Sequence, residues 1–393
     1  MNTPDVLVCG AGIIGCAVAR ELAARGASVT VVERGEPAEE ASGAAAGMLT
    51  AQAYAEPGDP LAELGRRSAE LYPALVDELA SESGFDPHYS RCGSVRIAAG
   101  PEDAAAMEKT AALQEKAGWT LERVEAKRLA ELSGGAIAPS VREGLAFPEE
   151  AVVDPRELVR GLRVCAERRG ARFLTNTPVT GLRIESGACT GVRTPRETIG
   201  AASVVDATGS WAGLDGAAGF AVPVVPARGQ IAEIDAGSAR PPCVLHRDHF
   251  YLAPREHGRL LAGATLEFVG FDRSVTVSGI AGLLRRAAEV APALAAARFV
   301  GAWAGFRPAA PDGLPIMGPT PLPGYFLAAA HFRNGILLAP ISARLVAEAV
   351  LGTGSRGALA PFALARFLRQ EGQDFERISA LQRETRLGKI AKR

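Results

Sequence analysis

The chain has 393 residues, 48% of them hydrophobic and 22% charged, a globular composition that excludes wholesale disorder and at this length points to two structural units. Its 43 basic and 44 acidic side chains nearly cancel, so no global field recruits nucleic acid or an anionic membrane. No run of about 18 apolar residues is present, which excludes an ordinary transmembrane helix.

Val6-Leu7-Val8-Cys9 is a short apolar run of the kind buried on both faces of a parallel sheet. Gly10-Ala11-Gly12-Ile13-Ile14-Gly15 follows at once, and Cys16 to Arg25 reads as a helix closed by Gly26. Val29 to Val32 is a second buried strand ending on Glu33. From Gly84 to Glu149 short strands such as Ser94 to Ala98 mix with polar helical stretches. Pro155 opens a helix that runs to Arg169 and stops at Gly170. Strands are expected at Arg172–Thr175, Gly181–Ile184 and Ala202–Asp206, the last running into Ala207-Thr208-Gly209. A β-rich block covers Pro223 to Pro321, with period-2 segments at Gln230–Ile234 and Arg259–Gly263. Tyr325–Ala330 reads as a strand and Gly335–Leu351 as a helix ending at Gly352. Beyond it Phe375, Ile378 and Leu381 recur at helical spacing, and Lys389, Lys392 and Arg393 make the end basic. That tail reads as a frayed or subunit-packing helix.

The order strand, glycine loop, helix, strand and acid is that of a dinucleotide-binding unit. Gly10 permits the tight turn, Gly12 lets the backbone approach a pyrophosphate, and Gly15 lets helix and strand pack closely. The N-terminus of the helix that follows offers N–H groups and partial positive charge to the phosphates. Glu33 lies 18 residues after Gly15, near the spacing of a ribose-binding acid; it would repel a 2′-phosphate. The six cysteines, Cys9, Cys16, Cys92, Cys165, Cys189 and Cys243, form no C-x-x-C pair. Met1–Asp5 carries no positive region before its first apolar run, so a secretory signal is not expected and a cytoplasmic setting with reduced thiols is. Five histidines form no H-E-x-x-H or Cys/His cluster, so no metal site is expected.

Four further segments carry a resemblance. Ala41-Ser42-Gly43-Ala44-Ala45-Ala46-Gly47-Met48-Leu49 resembles the flavin-side segment of the D-amino-acid oxidase superfamily. His331-Phe332-Arg333-Asn334-Gly335-Ile336-Leu337-Leu338-Ala339-Pro340 is similar to the C-terminal flavin-contact segment of its glycine oxidase branch. Trp303-Ala304-Gly305-Phe306-Arg307-Pro308, with Asp312-Gly313-Leu314-Pro315, and Asp248-His249-Phe250-Tyr251-Leu252-Ala253-Pro254-Arg255 resemble the same enzymes. The resemblance implies an α/β fold in which a Rossmann-like FAD-binding domain is interleaved with a mixed-sheet α+β substrate domain. The FAD-binding parts would be 1–85, 150–222 and 322–367, the substrate parts 86–149 and 223–321, with 368–393 a C-terminal tail.

It also implies FAD as cofactor, contacted by the glycine loop, Glu33, Arg34, Ala41, Ser42, Ala46, Gly47, Met48, Val179, Thr208, Gly209 and residues 331–337. Sarcosine oxidases of the superfamily hold FAD through a late cysteine; none follows Cys243 here, so a noncovalent flavin is expected. Small residues from Gly43 to Gly47 would let backbone N–H groups approach the flavin ring, and the Gly335 helix would point its N-terminus at it. Arg307 and Arg333 sit among apolar or small residues, where an unpaired guanidinium is costly and a substrate carboxylate is a matching partner. The resemblance makes Arg307 the carboxylate anchor, Tyr251 a hydroxyl contact and Arg333 a neighbour. His249 and His331 read as structural. Relatives commonly have glycine where Ala330 stands, and its methyl is expected to crowd the flavin.

The implied activity is FAD-dependent oxidation of glycine, or of sarcosine or small D-amino acids, with dioxygen as acceptor. A homo-oligomer and a thiazole synthase partner are implied in the same way. Two alternatives stand beside it: a D-amino-acid or proline dehydrogenase passing electrons to a quinone, and a noncatalytic FAD-binding subunit of a larger complex.

Overall fold

A computed structural model describes residues 3–98, 100–214, 218–354 and 356–368; the tail with Phe375, Ile378, Leu381, Lys389, Lys392 and Arg393 lies outside the described residues. The first layer is a six-stranded sheet in the order Ile316–Pro319, Tyr325–Ala329, Ser203–Asp206, Val6–Cys9, Val29–Val32, Arg172–Leu174. Its pairings are parallel except at the Ile316–Pro319 edge. The apolar run Val6–Cys9 divides as alternation requires. Val6 and Val8 enter a core with the helices Ile13–Ala24, Pro155–Arg168 and Gly335–Val350. Leu7 and Cys9 enter a second core against the antiparallel sheet Gly181–Glu185, Ala188–Arg193 and Thr198–Gly200. Burial on both faces is why this strand carries no polar residue.

The second layer is an eight-stranded sheet. Its order is Arg298–Ala309, Val225–Asp235, Arg259–Gly263, Phe250–Pro254, Val244–Arg247, Ser94–Ile97, Glu143–Phe147, Glu122–Glu125. All its pairings are antiparallel except that of Ser94–Ile97 with Val244–Arg247. The chain therefore passes repeatedly between the two sheets, and the α/β class holds.

Two expectations need correction. The first helix begins at Ile13, with Gly12 as its N-cap, not at Cys16, so Ile13, Ile14 and Gly15 form its first turn. The block from Pro223 to Pro321 is not β throughout, because Val277–Val290 is a helix capped by Thr276, whose side chain accepts from the Gly279 amide at 3.2 Å. Its Leu283, Ala287 and Val290 recur at helical spacing and pack on one face of the large sheet with Ala232, Ile234, Leu260 and Ala262. The opposite face, bearing Ile231, Ala253 and Leu261, meets Ala46 and Met48. That face bounds the site.

Candidate active site

One elongated cavity of about 1200 Å³ runs from the glycine loop, past the N-terminus of the Gly335–Val350 helix, to the large sheet. It exceeds the roughly 300–1,000 Å³ usual for one small ligand and has room for a dinucleotide with a substrate. Every sequence-predicted site residue except Gly15 lines it. A Cβ on Gly15 would stand 1.9 Å from the Gly10 carbonyl oxygen, so Gly15 serves helix–strand packing, the part expected of it. Gly10, at φ +102, passes the Ala207 carbonyl, which a Cβ would meet at 2.6 Å.

At the dinucleotide end, Glu33 closes its strand and accepts from the Ala11 amide at 2.7 Å and the Gly35 amide at 2.9 Å. Each carboxylate oxygen keeps lone pairs for a further donor, so Glu33 both braces the glycine loop and faces the cavity. The Ile13 amide donates to Ser42 Oγ at 2.9 Å, which places that hydroxyl at the positive end of the helix. Arg34 stacks over the Trp211 ring at 3.6 Å and pairs with Glu40 at 2.5 Å. Thr208 is held by buried Asp206, which accepts from the Thr208 amide at 3.0 Å and hydroxyl at 2.6 Å. Val179 and Gly209 complete the wall there. An anion-binding helix terminus, an acid with spare lone pairs and close backbone approach all suit a dinucleotide such as FAD.

The next segment departs from expectation in detail. Gly43 does not line the cavity. A Cβ there would stand 2.1 Å from the Ala38 carbonyl oxygen, and one on Gly47, at φ +72, 2.0 Å from that of Val153. Both glycines are required by neighbouring backbone. Of the amides expected to face the flavin, those of Ala44 and Ala45 bond instead to the carbonyls of Glu40 and Ser42. Ala41, Ser42, Ala46, Gly47 and Met48 remain on the cavity wall. Opposite them the Gly335–Val350 helix has Asn334 at its N-cap, with no side-chain cap bond, so its terminal N–H groups face the cavity uncapped. Ala330 also differs from expectation. It is fully buried in the core with Cys9 and Tyr325 and does not line the cavity. Its cost is instead a left-handed backbone, φ 59, about 1–2 kcal/mol for a residue with a Cβ. Cys243, the last cysteine, lies in the other core with its thiol against the Leu132 carbonyl at 3.4 Å.

At the substrate end the large sheet is bare. Gly229 pairs with Gly305, Ala227 with Arg307, and Gly263 with both Ile231 and Tyr251. The Arg307 guanidinium lies over Gly229, where a Cβ would meet Nη1 at 2.1 Å and Cζ at 2.4 Å. The Tyr251 ring lies over Gly263 in the same way, its hydroxyl 2.3 Å from a hypothetical Cβ. Arg307 Nη1 donates to the Thr265 carbonyl at 3.0 Å, and among the described residues no carboxylate pairs with it. Burial lowers its proton affinity, with neighbouring Arg333 adding to the effect; it stays cationic all the same. Burial raises the Tyr251 phenol, partly offset by Arg307, so the hydroxyl remains a donor at neutral pH.

The structure brings further residues here that sequence reasoning missed. Tyr54 contacts the Asp248 carbonyl through its hydroxyl, lies beneath Arg96 at 4.5 Å, and meets the His246 ring edge-on at 5.5 Å. His246 is buried, its Nε2 has no hydrogen-bond partner among the described residues, and burial, Arg96 and Arg333 push its pKa down to about 3. A lone histidine in the otherwise apolar start of Val244–Arg247 was the available signal. Gly229, Gly263 and Gly305 inside strands were another, since glycine there marks close approach. Tyr54, in a loop, carried none. His331 lines the cavity too, buried and 3.0 Å from Ser342 Oγ, its pKa pushed by burial down to about 3. His249 lines the rim 3.8 Å from the Asp248 carboxylate.

A family profile described as "FAD dependent oxidoreductase" matches residues 5–349. The chain is 34% identical over 371 residues to the glycine oxidase of Geobacillus kaustophilus, spanning 94% of this chain and 98% of that one. A protein named "Bifunctional protein ThiO/ThiG" from Trichormus variabilis is 35% identical over 373 residues, 94% of this chain but 56% of that protein. The crystal structure of glycine oxidase from Geobacillus kaustophilus superposes with a TM-score of 0.89 at 33% identity, covering 93% of this chain and 99% of that one.

Proposed function

The chain belongs to the family of FAD-dependent oxidoreductases, and from that premise we propose that it oxidises the Cα–N bond of glycine. The observation that carries this reading is Arg307: a guanidinium that no acid pairs with among the described residues, beside a neutral Tyr251 hydroxyl, over a strip of sheet that lacks side chains. FAD, when bound, supplies the acceptor for the hydride equivalent that leaves Cα. Arg307 takes the substrate carboxylate bidentately and Tyr251 donates a further hydrogen bond, which together fix the Cα–H direction. The bare patch at Gly229, Gly263 and Gly305 leaves room for a substrate that is itself almost all backbone. The paired positive charges of Arg307 and Arg333 disfavour an ammonium beside them, so the amine reacts neutral and no general base is required. Loss of hydride leaves an iminium, which water converts to glyoxylate and ammonium.

The flavin is held without a covalent bond, a reading supported by the remote burial of Cys243. The cofactor parts of the chain are 1–85, 150–222 and 322–367, and the substrate parts 86–149 and 223–321. Dioxygen is the acceptor and leaves as hydrogen peroxide. The two-part name of the Trichormus relative supports delivery of the imine to a thiazole synthase. Among the described residues no helix is long and apolar enough to cross a membrane; we place the reaction in the cytoplasm, by a homo-oligomer. Anaerobic titration with glycine, sarcosine, D-alanine and D-proline, followed by admission of air, tests the core of this. Glycine should bleach the flavin and air should restore it; Arg307→Lys should weaken glycine binding roughly 10- to 100-fold, about 1.4–2.7 kcal/mol. Unaltered glycine kinetics in Arg307→Ala would remove the anchor and reopen the substrate class, and recovery with a quinone but not with air would make the enzyme a dehydrogenase.

A further inference from the structure

Three buried polar side chains grip the backbone of one cavity-lining loop. Glu150, 2% exposed, accepts from the Gln52 and Ala53 amides at 2.8 and 3.0 Å and from the Ser94 hydroxyl. Gln114, fully buried, donates to the Gln52 and Ala55 carbonyls at 2.9 and 2.7 Å. Arg96, also buried, donates to the Ala53 carbonyl at 3.1 Å and is itself fixed by Asp103 at 2.9 Å. Burying an acid, an amide and a guanidinium is costly, and apolar side chains would cover a loop without that cost. What the polar set adds is one defined conformation, because hydrogen-bonded buried groups rigidify what they hold. The loop carries Tyr54, and the sheet shows where its ring stands. Gly263, Tyr251, His246 and Arg96 are successive Cα partners on four neighbouring strands, so all four positions share the cavity face. Tyr251 lies over bare Gly263. The next two positions in the row meet Tyr54, whose ring stands 5.5 Å from His246 and 4.5 Å from the Arg96 guanidinium. With strands about 4.8 Å apart, the Tyr54 ring begins one strand beyond the hydroxyl assigned to substrate. Its own hydroxyl bonds to the Asp248 carbonyl, in the turn that leads into the Tyr251 strand, and both residues line the cavity.

We propose that Tyr54 is the side wall that limits substrate size beyond Tyr251, and that Glu150, Gln114 and Arg96 are positioning residues that hold it there. The bare strip at Gly229 and Gly263 sets no limit of its own on what extends from a carboxylate held at Arg307. A group that extends from Cα or from the amine nitrogen toward the Ser94–Ile97 strand meets the Tyr54 ring, so amines larger than glycine and sarcosine are turned away there. None of the three positioning residues lines the cavity, so each acts on substrate only through the loop and its tyrosine. Tyr54 is 41% exposed, so its removal opens the cavity at its mouth without leaving a closed void in the core. This rests on the amine-oxidation reading above and sets its substrate range.

The test is a selectivity ratio on the FAD-loaded enzyme: kcat/KM for glycine over that for N-ethylglycine, and over that for D-leucine. FAD content and melting temperature are measured for every variant. A pocket discriminates methylene-sized differences by about 10- to 200-fold, so Tyr54→Ala should lower at least one ratio by about 10-fold or more. Glu150→Ala leaves two buried amides without an acceptor. It should lower the same ratio, yet change nothing further in Tyr54→Ala/Glu150→Ala, where the wall is already gone. Glu150→Gln, whose side-chain oxygen still accepts from both amides, should keep the native ratio. Gln114→Leu takes the place of Glu150→Ala in the comparison if the latter does not fold. An FAD-loaded Tyr54→Ala enzyme with native ratios overturns the wall while amine oxidation stands. A Glu150→Ala or Gln114→Leu enzyme that melts lower but keeps the native ratio, or whose effect adds to that of Tyr54→Ala, overturns the positioning role. If no amine reduces the flavin, the amine-oxidation reading fails and the wall with it.

Discussion

Gly229 offers a way to move the substrate anchor without touching it. A Cβ at this position would stand 2.1 Å from Arg307 Nη1 and 2.4 Å from both Cζ and Nη2. An ordinary contact is about 3.5 Å, so in Gly229→Ala the guanidinium must retreat by roughly 1.4 Å. It would then leave the Thr265 carbonyl, now 3.0 Å away. The atoms displaced are the far end of a flexible side chain, and the Gly229 backbone is not left-handed, so the fold should tolerate the methyl within about 1 kcal/mol. Catalysis should not. Misplacing a positioned group by about 1 Å costs on the order of 10²-fold, equivalent to roughly 2.7 kcal/mol of barrier. The assay is stopped-flow reduction of the bound flavin by glycine under nitrogen, with FAD stoichiometry and melting temperature as controls. Gly263→Ala, which meets the Tyr251 hydroxyl at 2.3 Å, should repeat the pattern through the second contact. A Gly229→Ala enzyme that keeps its FAD and reduces within threefold of the native rate would refute the idea that this guanidinium, in this position, orients the substrate.

Two further outcomes are expected. Glu33→Ala should weaken FAD binding by about 1.5–3 kcal/mol, the range for bonds to a charged group, or roughly 10- to 150-fold. Equilibrium dialysis checks this, and unchanged affinity takes Glu33 out of the cofactor contacts. Glu150 is fully buried and accepts from the amides of Gln52 and Ala53 at 2.8 and 3.0 Å, and burial raises its pKa from 4.5 to about 7. The folded state therefore keeps a proton that the unfolded chain releases. Its stabilising effect is complete below pH 4.5 and is lost as pH rises toward 7, by up to about 3 kcal/mol. Glu150→Gln should flatten the fall of melting temperature over that window, whereas an unchanged slope would assign the pH dependence elsewhere.

The parts of this molecule legible in its sequence are those whose physics is local. From Val6 to Glu33 each element follows directly on the last, so spacing alone orders strand, turn, helix, strand and acid. Burial on both faces wrote the apolar run Val6–Cys9 without interruption and left only Thr30 polar in Val29–Val32. Trp303, Gly305 and Arg307 share a face through period 2, and the strand keeps that register from Ala309 to Gly301, short of the bulge opposite Glu233 and Ile234. The helix Val277–Val290 was missed because its apolar stripe lies between strands of a block whose overall pattern is β. Tyr54 was illegible for a stronger reason. It meets His246 and Asp248 only because the Gln52–Ala53 loop is tied to Glu150, roughly a hundred residues away in sequence.

The glycines show why motif matching and mechanism part company. Gly10, Gly43 and Gly47 stand in segments that resemble ligand-binding motifs, yet each is made obligatory by a protein carbonyl: Ala207, Ala38 and Val153 in turn. Their small size lets the chain fold tightly around the cavity, which Gly10 and Gly47 also line. Gly229 and Gly263 stand in strands where no motif drew attention to them, and they are the ones that make space for Arg307 and Tyr251. The same geometry bears on substrate choice: a floor made of backbone at Gly229 and Gly263, with Arg307 and Tyr251 lying over it, leaves room for a substrate that is itself almost all backbone.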